Sequence, residues 1–306
     1  MSIAVEAPLR ARSPLASGKG MAARKAKNNI ATGVVYFCFL LALIPLVWLL
    51  YTVVSRGASS LMSAEWWGNS QAGLTYRVGG GGVFHALIGT IEQVLLCSVI
   101  SVPIAIMVAI YLVEYGRGPI ARATTFMVDI LTGIPSIVAA LFIYAVFITT
   151  FGGQRAGWLV AMALIMLMIP VIVRTTEEML KLVPNELREA SYALGVPKWK
   201  TILKVVLPTA LSGIVTGVML GVARVAGETA PLLVLVGYSP LINYNLFSGF
   251  QASLPGMMYA QIPQLGNVRY TFAADRLWGT ALTLVLIILV LNLVARLISR
   301  NSKLPN

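Results

Sequence analysis

The sequence predicts an all-α, polytopic membrane protein with six transmembrane helices. Composition is the first reason. Of 306 residues, 58% are hydrophobic and 11% charged, and mean hydropathy is +0.83. A soluble domain has about 45–50% apolar and about 25% charged residues. Length of the apolar runs is the second reason. Six stretches match the roughly 20 helical residues that cross a hydrocarbon core. The third is that no run alternates with period two, as barrel strands of about 10 residues do. The same figures argue against a water-soluble enzyme and against a disordered or fibrous chain.

In chain order, residues 1–28 are polar and carry Arg10, Arg12, Lys19, Arg24, Lys25 and Lys27. They read as a disordered basic tail, too long for the positive region of a signal peptide. A membrane domain over 29–300 follows, with spans near 30–54, 85–113, 124–151, 156–173, 207–236 and 277–297. The first and fourth are uncharged. Glu92 interrupts the second, Asp129 lies early in the third, Arg224 and Glu228 lie within the fifth, and Arg296 ends the sixth. Residues 301–306 form a short C-terminal tail.

The net charge of +12 would suggest nucleic acid on a soluble chain. Here it reports orientation. With the N-terminus inside, seventeen of the 23 Lys and Arg fall in inside segments and five in outside loops, as the positive-inside rule requires. Both termini are then cytoplasmic, in a plasma or inner membrane, and no nucleic-acid partner is expected. Outside, Trp66, Trp67, Tyr76, Tyr238, Tyr244, Tyr259, Tyr270 and Trp278 suit a membrane interface or a soluble partner. Gly79 to Gly82 lack the context of a phosphate cradle and read as a flexible lead into the second span. Cys38, Cys97 and a single histidine, His85, make a zinc or haem site improbable, and His85 reads as an interfacial or capping residue.

Two segments carry chemistry. In the segment between the fourth and fifth spans, Asn185 suits a cap, and Glu186 and Glu189 suit the first helical turns. Leu187, Ala190, Ala193 and Leu194 share one face. Gly195 suits a left-handed stop, and Pro197 opens the next helix. This predicts a short helix over 186–194 that needs a partner surface to be stable. A helix lying on lipid is the rival reading, but the basic residues follow Gly195 instead of lining the helix.

Glu189-Ala190-Ser191, then Gly195, Val205, Leu207 and Pro208, resembles the cytoplasmic signature of the permease subunits of ABC importers. Every spacing matches, with Ser191 in place of Ala and Val205 in place of Ile. The resemblance implies a type I importer (MetI-like) fold. It also implies that Leu187, Glu189, Ala190, Ser191, Leu194 and Gly195 belong to a coupling helix docking on an ATPase subunit. No Gly-x-x-x-x-Gly-Lys-Ser/Thr occurs in the sequence, so the chain has no P-loop of its own. No cofactor is expected on this chain, and ATP and magnesium would sit on two partner ATP-binding-cassette subunits.

The second segment is 221–233. An intramembrane Arg and Glu each cost about 2.5–3.5 kcal/mol on insertion scales. Arg224 and Glu228 are four apart and share a face. Two readings stand: an ion pair that fixes helix packing, or a pair lining a path for an anion. Gly213, Gly217 and Gly221 precede them at every fourth position and permit close approach of another helix. The run Arg224, Gly227-Glu228-Thr229-Ala230-Pro231 resembles the permeases of phosphate ABC importers, the A-type subunit more than its C-type sister. Gly89-Thr90, Pro103, Ala109 to Tyr115, and Gly133 to Phe142 agree with it, with Ala140 standing where that family usually has Gly. The resemblance covers roughly 80–300.

It implies phosphate as cargo, a homologous sister permease in a heterodimer, and an external phosphate-binding protein. Arg224, Glu228, Thr229 and Glu92 are the candidate pathway residues. A guanidinium offers paired hydrogen bonds to an oxyanion. Glu92 lines an outer mouth or pairs with a partner's cation, and Asp129 lies at the inner interface. Sulfate or molybdate is the alternative cargo. An ion-coupled secondary transporter would leave the 186–194 pattern unexplained and usually shows internal repeats, which are not evident here. An intramembrane enzyme would need a catalytic cluster that these residues do not supply.

Overall fold

The structure is a computed structural model that describes residues 18–75, 77–265 and 271–301. Residues 1–17 of the basic tail, Tyr76, Arg269, Tyr270 and the end of the C-terminal tail lie outside the described residues. Among the described residues every element is helical. The chain divides into two compact units, one ending at Thr52 and one beginning at Val53.

The first unit consists of α1, which runs Gly18–Met62 and continues into the second unit. The expected tail to residue 28 is therefore helical from Gly18 onward. Ala22, Ala23, Arg24, Lys25, Ala26 and Lys27 are strong helix formers, and they extend the apolar span beyond the bilayer length.

In the second unit, α2 (Ala64–Gly68) leads to α3 (Phe84–Ile110), which continues as a π-helical turn over Tyr111–Tyr115. Then come α4 (Gly118–Gly133), α5 (Ser136–Ile143) with a π-helical extension to Thr150, and α6 (Gly157–Lys181). The short α7 (Asn185–Ala193) and α8 (Lys198–Thr201) precede α9 (Leu207–Ala226). After α10 (Ala230–Leu235) come α11 (Leu254–Gln261) and α12 (Thr271–Asn301).

Helix α6 is the centre of the unit. Some 61% of its most apolar stretch is buried, against 22–33% for α3, α9 and α12. Leu159, Leu164, Met168, Ile172 and Leu180 lie fully inside, so the core is built around one apolar rod.

Two expected spans are broken. The third, 124–151, is a pair of helices, α4 and α5, bent by 105°. Pro135 has no N–H and restricts the residue before it, and Ile134 is extended at φ −72°, ψ 124°. Among the described residues five helices are thus long and apolar enough to cross a membrane, or six spans if the bent pair counts as one. The fifth, 207–236, stops at Ala226 and restarts at Ala230, with Pro231 in the first turn of the new helix, where it is tolerated.

The glycine run is held firmly, contrary to a flexible lead. Buried Arg276 of α12 donates to the carbonyls of Thr75, Val78 and Gly80. A Cβ on Gly82 would lie 2.4 Å from the carbonyl oxygens of Trp66 and Asn69. Trp66 is buried and donates to Thr283 at 3.0 Å, so it packs inside where an interfacial position was expected. Gly57 and Gly279 let residues 57–60 press against α12: added Cβ atoms would lie 2.6 Å from Trp278 O and Ser60 Cβ.

Candidate functional site

The α7 segment presents a bare apolar face. Leu187, Ala190, Ala193 and Leu194 are all exposed, Leu194 at 83%. Trp199, just beyond, is 60% exposed, and Glu189 is also exposed. An apolar surface of this kind on a nine-residue helix marks a contact site. Gly195 ends the helix in the left-handed region at φ +76°, and its N–H bonds the Tyr192 carbonyl. Ser191 points the other way. It is buried and shares a 2.8 Å hydrogen bond with Thr201, which ties α7 to α8. Pro184 takes the capping position, and Asn185 is the first helical residue, its Oδ1 accepting from Arg188 instead of capping the helix.

Arg224 stands in the last turn of α9, where the helix dipole favours a cation. Its Nε lies 3.9 Å from Glu228 Oε1; the Arg224 side chain is 53% exposed and that of Glu228 18%. Thr229 is half-buried in the break that follows. Thr209 and Thr216 are exposed on the same helix. The glycines face α6: added Cβ atoms would come within 2.2 Å of Met179 Sδ at Gly213, 2.3 Å of Thr175 Oγ1 at Gly217 and 3.1 Å of Ile172 at Gly221. Helices α6 and α9 therefore touch backbone to side chain along this stripe.

Glu92 is not joined to the Arg224 pair. It accepts a short hydrogen bond from Gln251 Nε2. Gln251 is fully buried and takes a 2.9 Å bond from Gln93 on its Oε1. Gly89 and Gly157 make room for this loop, since added Cβ atoms would meet Ala252 O and Gln251 Oε1 at 2.0 Å. Nearby, His85 is buried, with Nε2 3.0 Å from the Tyr238 hydroxyl. That hydroxyl donates to Gln71 Oε1 at 2.9 Å. His85 is thus an interior residue and not an interfacial one. Sequence reasoning missed Gln251 and Gln71 because an amide in a loop carries no periodic signal.

Asp129 binds Arg174 of α6, which also reaches Glu177 at 2.9 Å. Lys181 bonds Glu177 at 2.6 Å. Arg188, which sequence reasoning counted only as an inside charge, turns inward and pairs with Glu114 at 2.9 Å. Among the described residues no group of His, Cys, Asp and Glu is arranged to hold a metal ion.

These are the features of a helical membrane subunit with a short helix that bares an apolar face, and the chain belongs to the family of binding-protein-dependent transport system inner membrane components, which matches residues 101–303. Among curated proteins it is similar to the phosphate transport system permease protein PstA 1 of Mycobacterium tuberculosis (strain ATCC 25618 / H37Rv), 50% identical over 92% of each chain. The phosphate transport system permease protein PstA of Mycobacterium leprae (strain TN) is 52% identical over 88% of each. That of Yersinia pestis is 37% identical, covering 93% of this chain and 94% of its own. Solved structures share the fold. A chain of a bacterial alginate ABC transporter in complex with an alginate pentasaccharide-bound periplasmic protein has TM-score 0.61 at 14% identity, over 90% of this chain and 96% of its own. A chain of the inward-facing MetNI methionine ABC transporter has TM-score 0.54 at 21% identity, over 72% and 94%.

Proposed function

We propose that the chain is the membrane-spanning subunit of an ATP-driven importer that moves inorganic phosphate delivered by an external binding protein. The observation that carries this is the bare α7 face in a chain about half identical, nearly end to end, to permeases named for phosphate transport. Two ATPase subunits bind at α7, one on this chain and one on a sister permease, and ATP and magnesium are held there. This chain performs no covalent step. Its part is to adopt two conformations whose balance its partners shift.

The distribution of Lys and Arg supports cytoplasmic termini and a cytoplasmic α7. Arg224 is exposed on a membrane helix, and a guanidinium there suits protein or water but not lipid. That supports α9 as the side facing the sister and the path between them. Arg224 then contacts the phosphate oxyanion. Glu228 neutralises it between passages, the 3.9 Å separation being loose enough for an anion to displace. Glu92, tied to Gln251, holds the outer end of α3 in shape.

The test is co-purification from native membranes followed by reconstitution. An ATPase, a second permease and ATP-dependent phosphate uptake are expected. A lone chain that transports without ATP would overturn the reading, and ATP-driven uptake of sulfate or molybdate in place of phosphate would overturn the cargo.

A further inference from the structure

The side of α7 opposite its bare face is anchored by Ser191 and, more extensively, by Arg188. Arg188, with a side chain 13% exposed, spends every donor of its guanidinium on acceptors of the protein. Nε and Nη2 bond Glu114 Oε1 at 3.0 and 2.9 Å. Nη2 also bonds the Leu180 carbonyl at 2.9 Å, and Nη1 bonds the Val183 carbonyl at 2.7 Å and Asn185 Oδ1 at 3.3 Å. Five N–H groups meet five acceptor contacts, so the guanidinium plane is fixed in direction as well as position. Glu114, its side chain 5% exposed, belongs to the π-helical turn that ends α3. Leu180 belongs to the last turn of α6.

A second contact grips the same turn. Lys198, at the start of α8, donates to the Glu114 backbone carbonyl and stands 4.6 Å from the Tyr115 ring centroid. Carbonyls at a helix end lack intrahelical partners, and a cation there is favourable. With Ser191 and Thr201 tying α7 to α8, the α7–α8 segment and the end of α3 are fastened at several points.

At its other end α3 is fastened to the start of α11 and the loop before it. Thr90 Oγ1 accepts from Leu254 N at 2.8 Å, Gln93 donates to Gln251, and Gln251 donates to Glu92. Between these ends, Phe84–Tyr115 is a continuous helical span of 32 residues, roughly 48 Å long at 1.5 Å per residue. We propose that Arg188 and Glu114 are a positioning pair: they form the joint through which displacement of α7 is passed to α3, and α3 carries it to the loop around Gln251 on the opposite face. The pair touches neither phosphate nor nucleotide. The proposal rests on the reading that α7 docks an ATPase subunit.

The experiment uses the assembled complex in proteoliposomes with inorganic phosphate and its binding protein. Glu114→Gln keeps the volume and removes the charge, and Arg188→Lys keeps the charge and removes the fork. The readouts are ATPase subunit retained, stimulation of hydrolysis by the loaded binding protein, and phosphate moved per ATP. Both variants are expected to retain the ATPase at the parent level, to lose stimulation, and to move at least tenfold less phosphate per ATP. Parent-level phosphate per ATP in either variant overturns the proposal. So does loss of the ATPase or of the chain itself in both, which would assign the pair to folding alone. If the parent complex shows no ATP-driven phosphate uptake, the functional reading fails and takes this inference with it. Leu194→Glu separates the two failures, because it is expected to release the ATPase while leaving Arg188 and Glu114 intact.

Discussion

Arg224 is the one Arg or Lys in the membrane interior of this chain by sequence, and its side chain is about half exposed. An exposed ion pair contributes about 0–1 kcal/mol in water, so the Glu228 contact alone does little to hold α9 in place. Arg224→Gln is expected to leave the complex assembled and to lower radiolabelled phosphate uptake at least tenfold. Uptake at the parent level would remove Arg224 from the pathway. Gln251 acts at the same scale by different physics. It is buried, and Glu92, Gln93 and the Asn243 carbonyl converge on its amide. Gln251→Ala strands buried polar groups at about 1–3 kcal/mol each, and a lowered midpoint of thermal unfolding in detergent is expected. The Arg224–Glu228 spacing was legible because it lies on one helix. The partners of Gln251 were not, because Glu92 is 159 positions away in the chain.

Among the elements, α7 and α9 owe their roles to small residues and to breaks. Nine residues are too few to hold a helix alone, so α7 relies on Arg188 and Ser191 on one side and leaves Leu187, Ala190 and Leu194 bare on the other. Leu194→Glu places a charge on that surface without touching the interior. The ATPase is expected to be lost on purification while the chain remains in the membrane. Along α9 the glycine stripe lets α6 approach. Gly217→Val brings a side chain onto Thr175, 2.3 Å from an added Cβ, and overpacking of this kind costs typically 1–3 kcal/mol. A lower thermal midpoint, or lower yield from the membrane, is the expected result. The helical period made the apolar face of α7 readable beforehand. The 105° bend between α4 and α5 was not, although Pro135 was visible, because a proline in a membrane segment is also compatible with a straight or mildly kinked helix.

At the scale of the whole molecule, topology yields a direct test. In a chain carrying C38S and C97S, Leu194→Cys is expected to react with a membrane-impermeant maleimide from the cytoplasmic side only, and Tyr244→Cys from the opposite side only. Both are exposed positions. Labelling of both from one side would contradict the proposed orientation. Hydropathy and helical period are properties of neighbouring residues. The sequence by itself therefore determined the all-helical class, the places where apolar runs lie, the bias of basic residues and the apolar face of α7. Which helix becomes the centre depends on packing from every side, and only the tertiary structure made it α6. The same holds for Trp66 and His85, which an interfacial reading left at the surface and long-range contacts took inside. Arg188 is the clearest case. In the sequence it is one of many basic residues between the fourth and fifth spans; a carboxylate 74 positions earlier in the chain and three nearby acceptors turn it into a largely enclosed anchor, because a guanidinium's position is decided by the acceptors that folding brings around it.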